Sequence, residues 1–231
     1  MAQAGARDLG TDSYWWPLEG LCYTGEFKDE MLDPIPVVHC TWGEWKEMHP
    51  DTDVLAAPED PNHRDPRGGH GSEEYWERPG MDQLFIHSLF KGDLDRQLPE
   101  NAMIMGINLA RGHRAYPLTD IKLEGGLVND VLGDVPLLLL SGPSPESFYS
   151  GAFDRRVGDR VLEFEVRDER IVDKQTGSTW TSEGCAVEGE LKETELQPIH
   201  NMLTRWHSWI YSHPETEIFR TERQEAPNVK M

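Results

Sequence analysis

Apolar and polar residues alternate along much of the chain, in short segments that end at turn residues. A period of two is typical of half-buried β-strands. The predicted strands span residues 21–27, 83–90, 103–108, 115–118, 135–140, 148–154, 160–166 and 170–173. Turns are expected at Gly133-Asp134, Gly158-Asp159 and Asp168-Glu169. Short strands at this spacing predict a mainly β (α+β) fold of antiparallel sheets in a barrel-like body.

Residues 41–50 follow a helical pattern instead. Thr41 and Glu44 match the capping box that starts a helix. Pro50 prevents helical continuation, so the helix should end after about two turns. A helix this short is not stable alone and must dock through its apolar side chains.

The helical pattern occurs twice. Trp42, Trp45 and His49 share one stripe of the helix, and they return 164 residues later as Trp206, Trp209 and His213. Between residues 16–54 and 180–218, 14 of 39 positions are identical at this single offset. The chain therefore contains a duplicated unit, and we expect the two helices to be equivalent, related by an approximate twofold, with their indoles mostly buried. The histidines are interpreted as C-terminal helix caps, and the alternative is a role as ligands or proton carriers.

The two copies of the repeat divide the chain. The predicted organisation is a flexible tail at residues 1–14, a truncated first copy at 15–55, a long loop at 56–82, a main β-rich domain at 83–220 that ends in the second copy, and a tail at 221–231. The loop is rich in Pro and Gly, and long loops inside compact domains are usually functional or mobile.

Charge and cysteine usage exclude several classes of protein. The net charge of −20 argues against nucleic acid or an anionic membrane surface as a partner. Three cysteines without C-x-x-C spacing disfavour both a disulfide framework and a zinc site. No apolar run approaches the length of a membrane span, and no leader-like segment opens the sequence. The chain is expected to be soluble and cytoplasmic, although a removed export leader would leave no trace.

Several motifs occur in an order that resembles a known family. They are Ala115-Tyr116-Pro117-Leu118, Val128-Asn129-Asp130, Phe153-Asp154-Arg155-Arg156-Val157, Asp173-x-Gln175-Thr176-Gly177-Ser178-x-Trp180 and Trp206-x-x-Trp209-x-x-x-His213-Pro214-x-Thr216. Together they resemble a prokaryotic family catalogued only as a domain of unknown function. Its members hold duplicated β-rich units that end in the Trp-x-x-Trp-x-x-x-His-Pro element. The resemblance implies a β-rich fold and no established activity.

The chain departs from this family at two places. Members usually carry Cys-Pro-x-Cys-Gly, and the two cysteine positions fall on Ser144 and Ser147. The family's Trp-His-Glu falls on residues 124–126, which are Glu-Gly-Gly here. A hydroxyl cannot replace a thiolate as a soft metal ligand or redox group. A family site that used these side chains would be lost in this chain.

Two functional hypotheses follow. The first is a non-catalytic accessory or interaction subunit of a larger assembly, whose partner is another protein chain. The alternative is a divalent-metal-dependent enzyme or metal-binding protein that uses His63, Asp65 and His70 with a repeat histidine, although this spacing fits no defined ligand pattern. No G-x-S-x-G, G-x-G-x-x-G or Walker motif is present, so the sequence assigns no catalytic or cofactor-binding residue.

Overall fold

A computed structural model describes residues 5–17, 19–55, 95–99, 102–142 and 147–221. These residues form mainly β-structure with short helices, as the sequence predicts. The strands are β1 (Ala6–Asp8), β2 (Ser13–Trp16), β3 (Leu21–Thr24), β4 (Met103–Leu109), β5 (Gly112–Pro117), β6 (Leu127–Leu132), β7 (Val135–Ser141), β8 (Ser150–Asp154), β9 (Arg156–Val157), β10 (Arg160–Val161), β11 (Phe164–Arg167), β12 (Arg170–Asp173), β13 (Thr179–Trp180), β14 (Ala186–Glu188), β15 (Gln197–Pro198), β16 (Met202–Arg205) and β17 (Glu217–Ile218). The helices are α1 (Trp42–Met48), α2 (Leu118–Leu123) and α3 (Trp206–Ser212).

The described strands form open sheets rather than one closed barrel. Their orders are β1-β2-β3, β9-β10, β11-β12-β13-β14, β15-β8-β7-β6 and β16-β4-β5-β17. Neighbouring strands run antiparallel, except that β17 pairs in parallel with β5. The predicted antiparallel architecture is confirmed. In place of the predicted barrel-like body, the described strands form separate sheets.

Turn chemistry explains the hairpins that the sequence predicts. Gly133 connects β6 to β7 with φ 63°, and Asp168 and Glu169 connect β11 to β12 with φ 49° and 62°. Positive φ at the central residues is what a two-residue hairpin turn requires. The predicted strand at 160–166 is interrupted instead, because β10 ends at Val161 and β11 begins at Phe164. The predicted strand at 83–90 lies outside the described residues.

Strand β7 lies between two parts of the core. Leu137 and Leu139 belong to a cluster with β4, β5 and α2, whereas Leu138 and Leu140 belong to a cluster with the β11–β14 sheet. Successive side chains of a strand point to opposite faces, so a continuous apolar run fits a strand that is covered on both sides. A third cluster joins α3 to the outer face of β4 and β5.

The repeat has the same backbone in both copies. Cys22 donates its N–H to the carbonyl of Glu30 at 2.9 Å, and Ala186 makes the equivalent bond to Thr194 at 2.9 Å. Asp29 has φ 70°, and its counterpart Glu193 has φ 74°. Non-glycine residues rarely adopt such a conformation, so its presence at both positions is a specific mark of the duplication.

Within the predicted flexible tail at residues 1–14, Ala6–Asp8 form β1, which pairs with β2. Thr11 donates its hydroxyl to Asp8 at 2.6 Å, and Thr176 donates to Asp173 at 2.8 Å in the same way. The offset here is 165 rather than 164, so a comparison at one fixed offset ends too early. The long loop at 56–82 and residues 222–231 lie outside the described residues, whereas Thr221 is buried. The rest of the predicted domain division stays a prediction.

Candidate functional site

Helices α1 and α3 end in the same geometry. His49 and His213 donate their backbone N–H groups to the carbonyls of Trp45 and Trp209, each at 2.8 Å. Their φ and ψ angles are −129° and 71° in the first copy and −129° and 68° in the second. The predicted end of the helix before the proline is therefore confirmed in both copies.

The tryptophan side chains repeat their local contacts as well. The indole N–H of Trp45 donates to Thr52, and that of Trp209 donates to Thr216, both at 2.9 Å. Each indole also packs on the histidine four residues later, with ring centroids 4.2 Å apart in the first copy and 3.9 Å apart in the second. The two copies therefore share one Trp–His–Thr arrangement.

The surroundings of the two helices differ. Trp206 and Trp209 are 0% and 1% exposed, whereas Trp42 is 51% exposed and Trp45 is half-buried. Trp209 lies directly on Gly106 of β4, where an added Cβ would be 2.2 Å from its ring. The predicted burial of the indoles is confirmed for the second copy and is wrong for Trp42.

The segment before each helix explains this difference. In the second copy, the four residues of β16 pair with β4 and hold α3 against the sheet. In the first copy, His39 makes a single β-bridge with Ser150 at the start of β8. Among the described residues, the first copy has fewer strand-pairing hydrogen bonds before its helix, and no glycine lies under Trp45 as Gly106 lies under Trp209. The outer side of α1 is therefore left uncovered by the described residues. The capping box of α1, between Thr41 and Glu44, is present as predicted.

The repeat histidines contact residues of the other copy or the neighbouring sheet. His49 Nε2 lies 2.9 Å from Glu183, and His213 Nε2 lies 3.2 Å from Asn108. Glu19, the first-copy counterpart of Glu183, lines a cavity of about 290 Å³ together with His213. Such reciprocal contacts are what an approximate twofold predicts. The backbone N–H closes each helix, and the imidazoles bond or pack elsewhere rather than act as the predicted caps.

A larger cavity lies beside α1, bounded by the start of β6, the end of β7 and the β11–β12 hairpin. Its volume is about 600 Å³, and Gly125 and Gly126 form part of its wall. Ser147 donates its hydroxyl to Glu44, which also lines the cavity. The structure therefore brings together two of the stretches at which the sequence departs from the resembled family. Ser144 lies outside the described residues.

Glu44 is held as a carboxylate. Burial acts to raise its pKa, but hydrogen bonds from Ser147 and Thr41, with Lys122 nearby, outweigh burial and hold the pKa of Glu44 below its ordinary value. A carboxylate with a lowered pKa is a weak proton acceptor near neutral pH. Its position suits binding of a positive group better than general-base chemistry.

The thiol and phenol near Glu44 are protonated at neutral pH. Burial raises the pKa of Cys40, and the charges of Glu44 and Glu183 raise it further. Burial also raises the pKa of Tyr149, whose hydroxyl donates to the carbonyl of Ser182 at 2.5 Å. A nucleophilic cysteine needs the opposite environment, with a lowered pKa. Neither group is activated for covalent chemistry.

The predicted metal ligands His63, Asp65 and His70 lie outside the described residues, so the metal hypothesis stays a prediction. Within the described part of the chain, no group of three or more His, Cys, Asp or Glu side chains is arranged to hold a metal ion. The same residues contain no helix with the length and apolar character to cross a membrane.

Sequence reasoning missed two residues of the α1 region. Glu183 pairs with His49, and its sequence signal is its identity with Glu19 at the repeat offset. Ser141 lines the larger cavity at the end of β7, and nothing in an apolar strand sequence marks its last residue as part of a cavity wall.

Comparison with known proteins gives a family without an assigned activity. Neither the curated proteins nor the solved structures gave a match. The family model described as "Protein of unknown function (DUF3179)" matches residues 7–216, beginning within β1 and ending after α3. The chain belongs to this family.

Proposed function

We propose that this chain is a non-catalytic binding subunit that docks onto another protein through the outer side of α1. One observation carries the proposal: Trp42 is 51% exposed, while its repeat counterpart Trp206 is completely buried. A half-exposed tryptophan next to other exposed apolar groups is typical of a protein interface.

The docking surface is the α1 face, formed by Val38, Trp42, Trp45, Phe148 and Leu203. These residues line an open cavity of about 590 Å³. Phe148 is 48% exposed and Trp42 is 51% exposed. Aromatic side chains at the centre of an interface supply much of its binding free energy because they bury a large area with few rotatable bonds.

Charge favours a basic protein partner. The net charge of −20 would repel a second copy of the chain, nucleic acid and an anionic membrane surface, and would attract a protein with Lys and Arg around an apolar anchor. Lys46 lies with its Nζ 5.5 Å from the centroid of the Trp42 ring. The Trp42 indole therefore already interacts with a cation of its own helix.

The chemistry beside α1 supports binding rather than catalysis. The pKa of the Cys40 thiol is raised, and the pKa of Glu44 is lowered, so neither is tuned as a nucleophile or a general base. Ser147 donates its hydroxyl to Glu44. Cys40, Glu44 and Ser147 therefore have the properties of structural polar groups rather than of reactive ones.

The test is purification of the tagged chain from its native source, followed by sizing and measurement of stoichiometry. We expect a basic protein at a constant ratio with the natural sequence, and loss of that protein with Trp42→Glu or Phe148→Glu. Val187→Glu is the matched control, because Val187 is an apolar residue of β14 that is 44% exposed and lies outside the α1 face. A lone monomer, a dimer of this chain, or equal loss with the Val187 control would contradict the proposal.

A further inference from the structure

The inner side of α1 borders the 600 Å³ cavity, and it differs from the α1 face in both chemistry and residues. We infer that this cavity binds a small organic cation with an apolar body. Its volume is in the usual range for small-molecule sites. The walls combine an apolar floor and a carboxylate rim.

The floor of the cavity is part of the protein core. Leu127, Leu140 and Tyr149 are 8%, 3% and 5% exposed and belong to one core cluster. Met48 and Ile171 pack against the same cluster and also line the cavity. Side chains fixed by core packing form a preformed site, so an apolar ligand body would bind here without reordering the protein.

The rim carries one sign of charge. Glu44, Glu47 and Glu169 line the cavity, and none of the described lining residues is Lys, Arg or His. Lys122 donates to the backbone carbonyl of Ser147 at 2.8 Å and offsets part of the charge of Glu44. Glu47 and Glu169 are exposed, so an approaching cation meets their carboxylates from solvent.

Gly125 leaves one part of the cavity wall without a side chain. Gly125 has φ 85°, and a Cβ added there would meet nothing within 4 Å. A side chain at this position would therefore extend into open space.

The test uses three probes that share a phenyl ring and a short chain: 2-phenylethylammonium, 2-phenylethanol and 3-phenylpropionate. Binding to the full chain is measured by calorimetry and by ligand-observed NMR. We expect the cation to bind about tenfold more tightly than the alcohol, and the anion not to bind. Equal binding of all three probes, or tighter binding of the anion, would overturn the inference.

Variants locate the binding. Val166→Trp adds bulk at a cavity residue that is 51% exposed, so it should abolish binding and leave the fold intact. The pair Glu47→Gln and Glu169→Gln should weaken the cation about tenfold and leave the alcohol unchanged.

Glu215→Gln is the control, because it removes the same charge from an exposed position outside the cavity. Unchanged binding in Val166→Trp, or an equal loss in Glu215→Gln, would show that the cation binds elsewhere or without a site. Loss of binding in Trp42→Glu is not expected, since Trp42 does not line this cavity. The result is therefore separable from the test of the protein partner.

Discussion

Helices α1 and α3 contain the same motif, end in the same backbone geometry and make the same indole hydrogen bond. Yet the tryptophans of α3 are buried, whereas Trp42 of α1 is half-exposed. The internal contacts come from the motif itself, because they join residues within eight positions of each other. Burial comes from what lies opposite: β4 with its glycine for α3, and a single bridge to β8 for α1. A duplicated sequence therefore preserves local structure while its two copies take different roles.

The largest expected difference between the copies is in the free energy lost on truncation of a tryptophan. Trp206→Ala should cost about 3–5 kcal/mol, since the side chain is fully buried. Trp42→Ala should cost less than about 1 kcal/mol, since half of the side chain is in solvent. Denaturant unfolding measures both, and equal losses would mean that α1 is docked as α3 is.

The aspartate of the second-copy turn should matter more than its counterpart in the first. Asp173 is fully buried and accepts hydrogen bonds from Trp180 Nε1 at 3.0 Å and from the N–H of Thr176 at 2.6 Å. Asp173→Ala leaves these donors unpaired and should cost about 2–3 kcal/mol. Asp8→Ala should lower stability much less because Asp8 is exposed. The same unfolding experiment checks this order.

The contribution of Asp173 to stability should also depend on pH in the acid range. Burial acts to raise its pKa, but its hydrogen bonds outweigh burial and lower the pKa. A lowered folded-state pKa contributes stability above the unfolded value, and that contribution is lost as pH falls below about 3.9. The stability of Asp173→Ala should therefore fall less steeply with acid than that of the natural protein.

Two glycine-to-alanine substitutions should have opposite signs. Gly106→Ala places a Cβ 2.2 Å from the Trp209 ring and should cost about 1–3 kcal/mol through overpacking. Gly43→Ala, in the exposed first turn of α1, meets only Thr41 Oγ1 at 3.7 Å and should stabilise the protein by about 0.5 kcal/mol. Melting temperatures of the two variants would show the opposite shifts, and a stabilising Gly106→Ala would mean that α3 is loosely seated.

The smallest expected effect is a pH dependence. Burial lowers the pKa of His213, and the neighbouring His113 lowers it further. The unfolded chain then binds the proton more readily, so stability decreases as pH falls below about 6.5, the ordinary pKa of histidine. His213→Gln should flatten this decrease, as measured by unfolding between neutral pH and mild acid. An unchanged slope would show that His213 does not titrate in this range.

Sequence reasoning recovers the features that depend on neighbours in the chain. The capping box at Thr41, the helix ends before Pro50 and Pro214, and the hairpins at Gly133 and Asp168 follow from local rules. Helix α2 was missed because it begins directly after strand β5 at Pro117, without a side-chain cap to mark it.

Features that depend on distant residues were not predictable. The start of the repeat at β1 is hidden by a one-residue change of offset. The exposure of Trp42 depends on the sheet opposite, and the cavity depends on Gly125, Ser141 and the β11–β12 hairpin meeting in space. The two motifs are alike in sequence, so the motif alone cannot show which tryptophan packs on a glycine of the neighbouring strand.

Hydroxyl-radical footprinting of the tryptophans, read by mass spectrometry, tests the central difference most directly. It is applied to the purified chain and to the chain within its native assembly. We expect Trp42 to be oxidised readily in the purified chain and protected in the assembly, while Trp206 is protected in both. Protection of Trp42 in the purified chain, or equal oxidation of Trp42 in both samples, would contradict the assignment of the α1 face as the docking surface.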